Sequence, residues 1–193
     1  MKVIVPRLVK LICFLPIVFL LLSVLLNQLG PDPATELAKR TGEWALRFLL
    51  LSLSITPVRQ LLGLGVIAPY RRTFGLFALL YAVFHFATYV VFILQFRWVE
   101  IVEDILERPY ITVGFASFCI LAILGATSTK SMIKRLGRKW KSLHRMVYLA
   151  SILAIVHLLW ILRSDIAEAV FYAMILLPNL GYRFFFYMSK RKI

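Results

Sequence analysis

Six long apolar runs constrain this chain more than any other feature. The runs lie at approximately Leu8–Leu29, Trp44–Leu62, Thr73–Phe96, Tyr110–Ser128, Leu143–Leu162 and Val170–Phe186. Each has roughly the 17–25 residues that an α-helix needs to cross the hydrocarbon core of a bilayer. Because the loops between them are short, no room remains for a separate soluble domain. We therefore expect an all-α integral membrane protein, a single domain over residues 1–193 with six transmembrane helices.

Composition supports the membrane assignment. Hydrophobic residues make up 61% of the chain and charged residues 17%, whereas soluble domains have about 45–50% and about 25%. A net charge of +14 would suggest nucleic-acid binding in a soluble protein. Here membrane topology explains it better, so we expect contact with membrane lipid and not with nucleic acid. The first run is too long for a signal peptide, so we expect a retained helix that bends near Pro16. No internal repeat is evident.

The basic residues are distributed unevenly between the two sides of the membrane. The two tails and the second and fourth loops, together with Lys10, Arg59 and Arg183 at the adjoining ends of the runs, hold 16 Lys and Arg residues, and the first, third and fifth loops hold 5. Arg47 and Arg145 lie within runs and are counted on neither side. All nine acidic residues lie in or beside those three loops. Because cytoplasmic loops are enriched in Lys and Arg, both termini are expected in the cytoplasm. The chain is expected in the inner membrane of a bacterial cell.

Histidine is the residue type that membrane insertion leaves unexplained. No carboxylate lies in the middle of a run, and there is no glycine-rich phosphate loop and no convincing Ser–His–carboxylate set. His85 lies in the third run, and His144 and His157 lie in the fifth. A histidine in a membrane helix can simply bond a neighbouring helix. Three histidines confined to two helices favour haem ligation instead, because imidazole binds iron and an apolar bundle holds the macrocycle.

Depth in the membrane predicts which histidines share one iron. His85 lies 13 residues past Arg72, about 20 Å along a helix. His157 lies 16 residues past Lys141, about 24 Å along its helix. His144 lies only about 5 Å past the same lysine. We therefore predict that His85 and His157 are the two axial ligands of a haem in the outer half of the membrane.

His144 and Arg71 suggest a second haem below the first. His144 is 13 residues before His157, about 20 Å away and about 140° around an ideal helix. A π-bulge or an irregular first turn would be needed to align the two histidines. Arg71 stands 14 residues before His85, where a second histidine would be expected. Arg71 could bind a haem propionate, or it could be ordinary flanking charge.

Several short motifs together resemble a known family. They are GPDP at 30–33, TGEWAL at 41–46, ITP at 55–57, RRTFGL at 71–76, FHFATY at 84–89, RPYIT at 108–112, TST at 127–129, LGRKWKSLH at 136–144, VYL at 147–149 and HLLW at 157–160. In order and spacing they resemble the ferric-reductase-like transmembrane family, and within it the haem-binding membrane subunits of bacterial periplasmic methionine sulfoxide reductase systems. The resemblance covers roughly residues 8–165.

The resemblance implies more than the residues alone indicate. Such subunits carry b-type haem, here one or two groups, and the family has been associated with a flavin, FMN. They take electrons from the quinone pool or a cytoplasmic flavin reductase. They pass them to a periplasmic molybdopterin-containing catalytic subunit, with which they form a heterodimer and which reduces methionine sulfoxide in oxidised proteins. The chain would then be an electron-transfer subunit, with His85, His157 and His144 at family ligand positions. Larger family members have a second low histidine on the third helix, which this chain lacks.

Two other functions remain open from the sequence. The first is a stand-alone transmembrane cytochrome, linked to ferric iron or quinone, with another acceptor. The second is a small six-helix transporter or assembly factor whose histidines only pack or form hydrogen bonds. The absence of midspan carboxylates and of matching broken helices disfavours a transporter.

Overall fold

The computed structural model describes residues 4–162 and 166–190, with all side chains in these ranges except those of residues 4–6, 187 and 190. Five residues that contribute to the charge count therefore lie outside the described residues: Lys2, Arg163, Asp165, Arg191 and Lys192. The side chain of Lys190 lies outside them too.

The described chain consists of helices. They are α1 (Ile4–Leu25), α2 (Pro33–Leu62), α3 (Tyr70–Thr88), α4 (Trp98–Glu107), α5 (Pro109–Ala126), α6 (Lys130–Leu136), α7 (Arg138–Leu143), α8 (Met146–Ile161) and α9 (Ala167–Lys190). A short 3₁₀ turn precedes α3, and a π-helical turn, Tyr89–Ile93, continues it. Six segments are long and apolar enough to cross a membrane: Arg7–Leu25, Pro33–Leu62, Gly65–Ile93, Pro109–Ala126, Arg138–Ile161 and Ala167–Phe186. The expected all-α membrane protein with six spanning helices is confirmed.

Helix α2 begins three turns before the predicted start at Trp44. Asp32 caps it, because its Oδ1 accepts a hydrogen bond from the Thr35 N–H at 3.2 Å, and Pro33 is suited to a first helical position. Hydrogen bonding from Thr35 lowers the pKa of the Asp32 carboxyl. An ion pair between Arg40 and Glu36, with N and O 2.6 Å apart, lies in the added turns. These charges lower the hydropathy there, which is why the apolar pattern misses the helix start.

Pro16 lies inside α1, where a side chain from α3 enters the helix. The buried Tyr81 hydroxyl accepts from the Ile17 N–H at 3.0 Å and donates to the Cys13 carbonyl at 3.0 Å. Without Tyr81, these two backbone groups would be natural partners in the helical ladder. A side chain inserted into the ladder in this way is a known cause of helix irregularity, and it joins α1 to α3.

Four helices surround the centre of the bundle. α2 packs against α3, α5 packs against α8, and contacts of α3 with α5 and of α2 with α8 close the ring. α3 and α8 therefore stand at opposite corners. α9 packs on α2 and α8 from outside, and α1 packs on α2 and α3. We call the end with the acidic loops, including Glu36 and α4, the acidic end. The opposite end, with Arg71, α6, α7 and Arg183, is the basic end.

Candidate functional site

His85 and His157 meet across the centre of the bundle. They lie near the acidic-end termini of α3 and α8, and their ring centres are 6.2 Å apart with the ring planes at 79°. We refer to these two residues as the histidine pair. The geometry agrees with the equal depth predicted from the sequence.

Each ring of the histidine pair is held by one main-chain carbonyl. His85 Nδ1 lies 2.7 Å from the Ala38 oxygen on α2, and His157 Nδ1 lies 2.6 Å from the Tyr110 oxygen on α5. A carbonyl oxygen can only accept, so both Nδ1 atoms carry the hydrogen and donate. The lone pair of each neutral ring is then on Nε2. This is the arrangement in which a protein presents an oriented imidazole to a metal.

Two glycines leave the space that the imidazole rings need to reach these carbonyls. Gly42 lies four residues after Ala38, and Gly114 lies four residues after Tyr110, one helical turn in each case. A Cβ at Gly42 would lie 3.0 Å from His85 Nδ1, and a Cβ at Gly114 would lie 2.6 Å from His157 Nδ1 and Cε1. Any side chain there would obstruct the hydrogen bond that orients the imidazole.

The two halves of this arrangement repeat along the chain at an offset of 72 residues. The equivalent positions are Ala38 and Tyr110, Gly42 and Gly114, Ala78 and Ala150, Ala82 and Ala154, and His85 and His157. Our expectation of no internal repeat is therefore incomplete. The detectable signal is a short pattern, Ala-x₃-Ala-x₂-His, that occurs on both α3 and α8.

The histidine pair fits two axial positions of one metal ion. At a metal–imidazole bond of roughly 2 Å the ring centre lies about 3 Å from the metal, so two opposed rings have centres about 6 Å apart. Among the described residues no group of three or more His, Cys, Asp or Glu side chains could hold a metal ion. Two nitrogens alone do not complete a coordination sphere, whereas a macrocycle supplies the other ligands. The residues present therefore fit haem better than a bare ion.

Aromatic side chains pack together on the helices that carry the histidine pair and its carbonyls. Phe86 lies next to His85 and packs against Phe118 and Phe115, with ring centres 5.0 and 5.7 Å away. On the α2 side, Trp44 packs against Tyr81 at 6.4 Å. Apolar side chains in the bundle lower the local dielectric, which is one of the ways a protein adjusts a redox potential.

His144 lies apart from the histidine pair, in the break between α7 and α8. Its Nε2 is 3.1 Å from Thr127 Oγ1, and its ring stacks on Trp140 with centres 4.0 Å apart. The Thr127 hydroxyl donates to the Ile123 carbonyl at 2.7 Å. Having one hydrogen, it therefore accepts from His144 Nε2–H. The irregular backbone that alignment with His157 would require is present, but Nε2 is already engaged.

Arg71 lies in the same region as His144, within electrostatic range of it. Its Nη1 donates to Thr56 Oγ1 at 3.4 Å, and its main-chain carbonyl accepts from Ser52 Oγ at 2.8 Å. The structure thus groups the four predicted site residues into two sets. His85 and His157 form one, and Arg71 and His144 form a looser one near the basic end.

The sequence analysis missed two kinds of residue. Gly42 and Gly114 give no signal in one helix alone, because their role depends on a ring from another helix. Asn179 and Arg183 on α9 were counted only as helix and tail residues, although both lie buried or half-buried against α2.

Comparisons with known proteins identify the family of the chain. Residues 41–155 match a family described as ferric reductase like transmembrane component. Relatives from Xanthomonas euvesicatoria pv. vesicatoria and Xanthomonas oryzae pv. oryzae are 48% and 47% identical over 166 residues, covering 86% of this chain and 76% of each relative. A relative from Polaromonas naphthalenivorans is 37% identical over 188 residues, covering 96% of this chain and 86% of the relative. All three are named protein-methionine-sulfoxide reductase heme-binding subunit MsrQ. No solved structure matches the chain.

The fold and the family match together define the class, a multi-pass bacterial membrane protein of the ferric-reductase-like transmembrane family. Identity at this level over most of the chain then specifies the branch. The chain belongs to the family of MsrQ haem-binding subunits of methionine sulfoxide reductase.

Proposed function

We propose that His85 and His157 are the axial ligands of a b-type haem through which this chain relays electrons. The observation that carries the proposal is the 6.2 Å separation of two imidazoles whose Nδ1 atoms both face main-chain carbonyls. When bound, the haem supplies a one-electron change at iron. Ala38 and Tyr110 would orient the two rings through their main-chain carbonyls.

The methionine sulfoxide reduction itself is assigned to a partner. The relatives are named as the haem-binding subunit of a protein-methionine-sulfoxide reductase, and the described chain is a membrane bundle without an extramembrane module. We propose a heterodimer with a periplasmic molybdopterin-containing catalytic subunit. Electrons would enter from the quinone pool or from a cytoplasmic flavin reductase, with FMN as a further cofactor.

The direction of the relay follows from the charge distribution. The proposed topology places the basic end in the cytoplasm and the acidic end, near the histidine pair, in the periplasm of a bacterial inner-membrane protein. A fusion after Ile193 tests it. A cytoplasmic reporter should be active there, and periplasmic alkaline phosphatase activity from the same position would contradict the orientation.

A second haem at His144 and Arg71 is a separate proposal with weaker geometric support. His144 would have to give up its bond to Thr127 or bind through Nδ1, and an arginine is a poor iron ligand because it stays protonated. Arg71 would instead bind a propionate. The haem-to-protein ratio of the purified chain distinguishes one haem from two.

The absorption spectrum tests the proposal as a whole. A dithionite-reduced minus oxidised spectrum of protein purified from haem-replete cells should show sharp b-type bands, which His85→Ala and His157→Ala each remove. Colourless wild-type protein would support a transporter or assembly factor. Haem reduction without electron delivery to the catalytic subunit would support a stand-alone cytochrome.

A further inference from the structure

Arg183 on α9 is half-buried against α2 and α8 near the basic end. Its Nη2 donates to the Leu53 carbonyl at 2.5 Å, and its guanidinium carbon lies 5.0 Å from the centre of the Tyr148 ring. The Leu53 carbonyl needs an outside donor, because the residue one turn later is Pro57, which has no N–H. One nitrogen of Arg183 therefore has a structural role in α2.

Two other buried polar atoms of α9 have no hydrogen-bond partner among the described residues. They are Arg183 Nη1 and Asn179 Oδ1. Asn179 is 7% exposed, and its Nδ2 donates to Ser54 Oγ at 3.1 Å and to the Ile175 carbonyl at 2.8 Å. Those bonds fix the orientation of the amide. One face of α9 thus presents a charged donor and, one turn away, a neutral acceptor, and buried unpaired groups of this kind are costly.

Among the described residues, no side-chain carboxylate pairs with Arg183. The sequence has no Asp or Glu at residues 44–99, 108–164 or 169–193. A second cation, Arg71, lies within electrostatic range of Arg183 and repels it. A cation partly withdrawn from water in a membrane protein normally pairs with an anion. The surroundings of Arg183 are therefore complementary to an anionic ligand.

We propose that Arg183, Asn179 and Arg71 form a binding site for a phosphate ester that carries a hydroxyl group. The phosphate oxygen accepts from Arg183 Nη1, with Arg71 as the second cation, and the ligand hydroxyl donates to Asn179 Oδ1. Two sources share this chemistry, the phosphoglycerol headgroup of an anionic lipid and the ribityl phosphate of a flavin mononucleotide. Basic clefts between membrane helices commonly bind anionic headgroups. The lipid source is independent of the proposed electron relay, whereas the flavin source would supply its entry point.

Three variants of the full chain, in lipid nanodiscs, test the site. Arg183→Gln removes the charge. Asn179→Asp places a carboxylate one turn before Arg183, where it pairs with the guanidinium within the helix and takes the place of the ligand phosphate. If Arg183→Gln fails to fold, Asn179→Asp still tests the site, because it retains Arg183 and the hydrogen bond from Arg183 to the Leu53 carbonyl. Arg59→Gln is the matched control, since Arg59 is an exposed basic residue at the same end of the bundle.

Two measurements identify the source. The first is the number of phosphatidylglycerol molecules retained, measured by native mass spectrometry, in nanodiscs of phosphatidylcholine with and without phosphatidylglycerol. The second is titration with FMN, followed by quenching of its fluorescence. Wild type and Arg59→Gln should bind one of these probes, and Arg183→Gln and Asn179→Asp should bind that probe at least about tenfold more weakly. The proposal would be overturned if all four proteins bound each probe equally well, or if the wild type bound neither probe. Loss of binding with an unchanged b-type spectrum separates this site from the histidine pair.

Discussion

The polar side chains of the histidine pair and those at the basic end of the bundle differ in which of their atoms are hydrogen-bonded. At the pair, one nitrogen of each imidazole bonds a carbonyl and the other is left for a ligand. At the basic end, His144 already bonds Thr127 through Nε2 and is covered by Trp140, whereas Arg183 has an unpartnered donor. This difference supports our proposal that the first region binds a haem between its two rings. The second is better suited to hold a negative charge.

The largest effect is expected from removing one ring of the pair. His85→Ala and His157→Ala should each abolish the same low-spin haem signal and electron delivery to the catalytic partner, because six-coordination needs both nitrogens. Haem content and the electron paramagnetic resonance spectrum of the oxidised protein measure this. If the two variants lose different haem components, or if either keeps the full spectrum, the two histidines do not share one haem.

The glycines should give the next largest effect. The Cβ of Gly114→Ala would lie 2.6 Å from the His157 ring, so the ring or helix must move. Overpacking of this kind costs about 1–3 kcal/mol, which corresponds to roughly a 5- to 150-fold loss of haem affinity. Gly42→Ala, at 3.0 Å, should have a smaller effect. Gly181→Ala is the matched control, because a Cβ there meets nothing within 4 Å.

The same variants report on ring orientation. Ring planes at 79° should give a strongly anisotropic low-spin signal in the oxidised wild type, since the axial ligands set the electronic state of the iron. Variants that retain haem should show a shifted signal when a glycine is replaced, and an unshifted one for Gly181→Ala. A shift shared by all three variants would show that the glycines do not orient the rings.

His144 should matter less than the pair. His144→Ala should leave the low-spin signal of the histidine pair intact and remove only an additional high-spin component, if the purified protein contains one. Thr127→Val, which frees His144 Nε2, should also leave the pair unchanged, with Thr127→Ser as the control that keeps the hydroxyl. Loss of the low-spin signal in His144→Ala would mean that the two regions are one site.

The sequence predicts the parts of this structure that depend on hydrophobicity and depth. The six spans follow from apolar run length, and the pairing of His85 with His157 follows from distance along two helices. Contacts between helices were not predictable in the same way. The hydrogen bond from the His157 ring to its carbonyl and the close fit at Gly114 depend on how α5 and α8 pack. The repeated pattern of two alanines and a histidine on α3 and α8 contains too few residues to be recognised in the sequence.

Charged helical turns and short interfacial helices were missed for another reason. The start of α2 contains acidic and basic residues whose pairing stabilises the helix while lowering its hydropathy. Helix α4 is amphipathic and too short to span, so it was assigned to a loop. Its Asp104 accepts from Tyr89 OH at 2.8 Å and pairs with Arg108 at 2.9 Å. That network fixes the start of α5, close to the carbonyl that holds His157.

The smallest expected effect concerns Asp32, which immediately precedes the first turn of α2 and belongs to neither region. Its carboxylate caps the helix that carries Ala38 and Gly42, and its pKa in the folded protein is lower than its ordinary value of 3.8. Because the lowered pKa belongs to the folded state, the stabilisation is present above that ordinary value and is lost as the pH falls through the folded pKa. Asp32→Asn keeps an acceptor at the cap and does not titrate. Thermal unfolding in detergent, from about pH 6 to about pH 3, should therefore show a slightly steeper loss of stability for wild type than for Asp32→Asn. The haem spectra of the two proteins should be identical at neutral pH.

Parallel pH profiles of the two proteins would show that the Asp32 carboxylate does not contribute to the stability of α2. A change in the haem spectrum of Asp32→Asn would show that the acidic-end cap influences the histidine pair, which the present geometry does not predict.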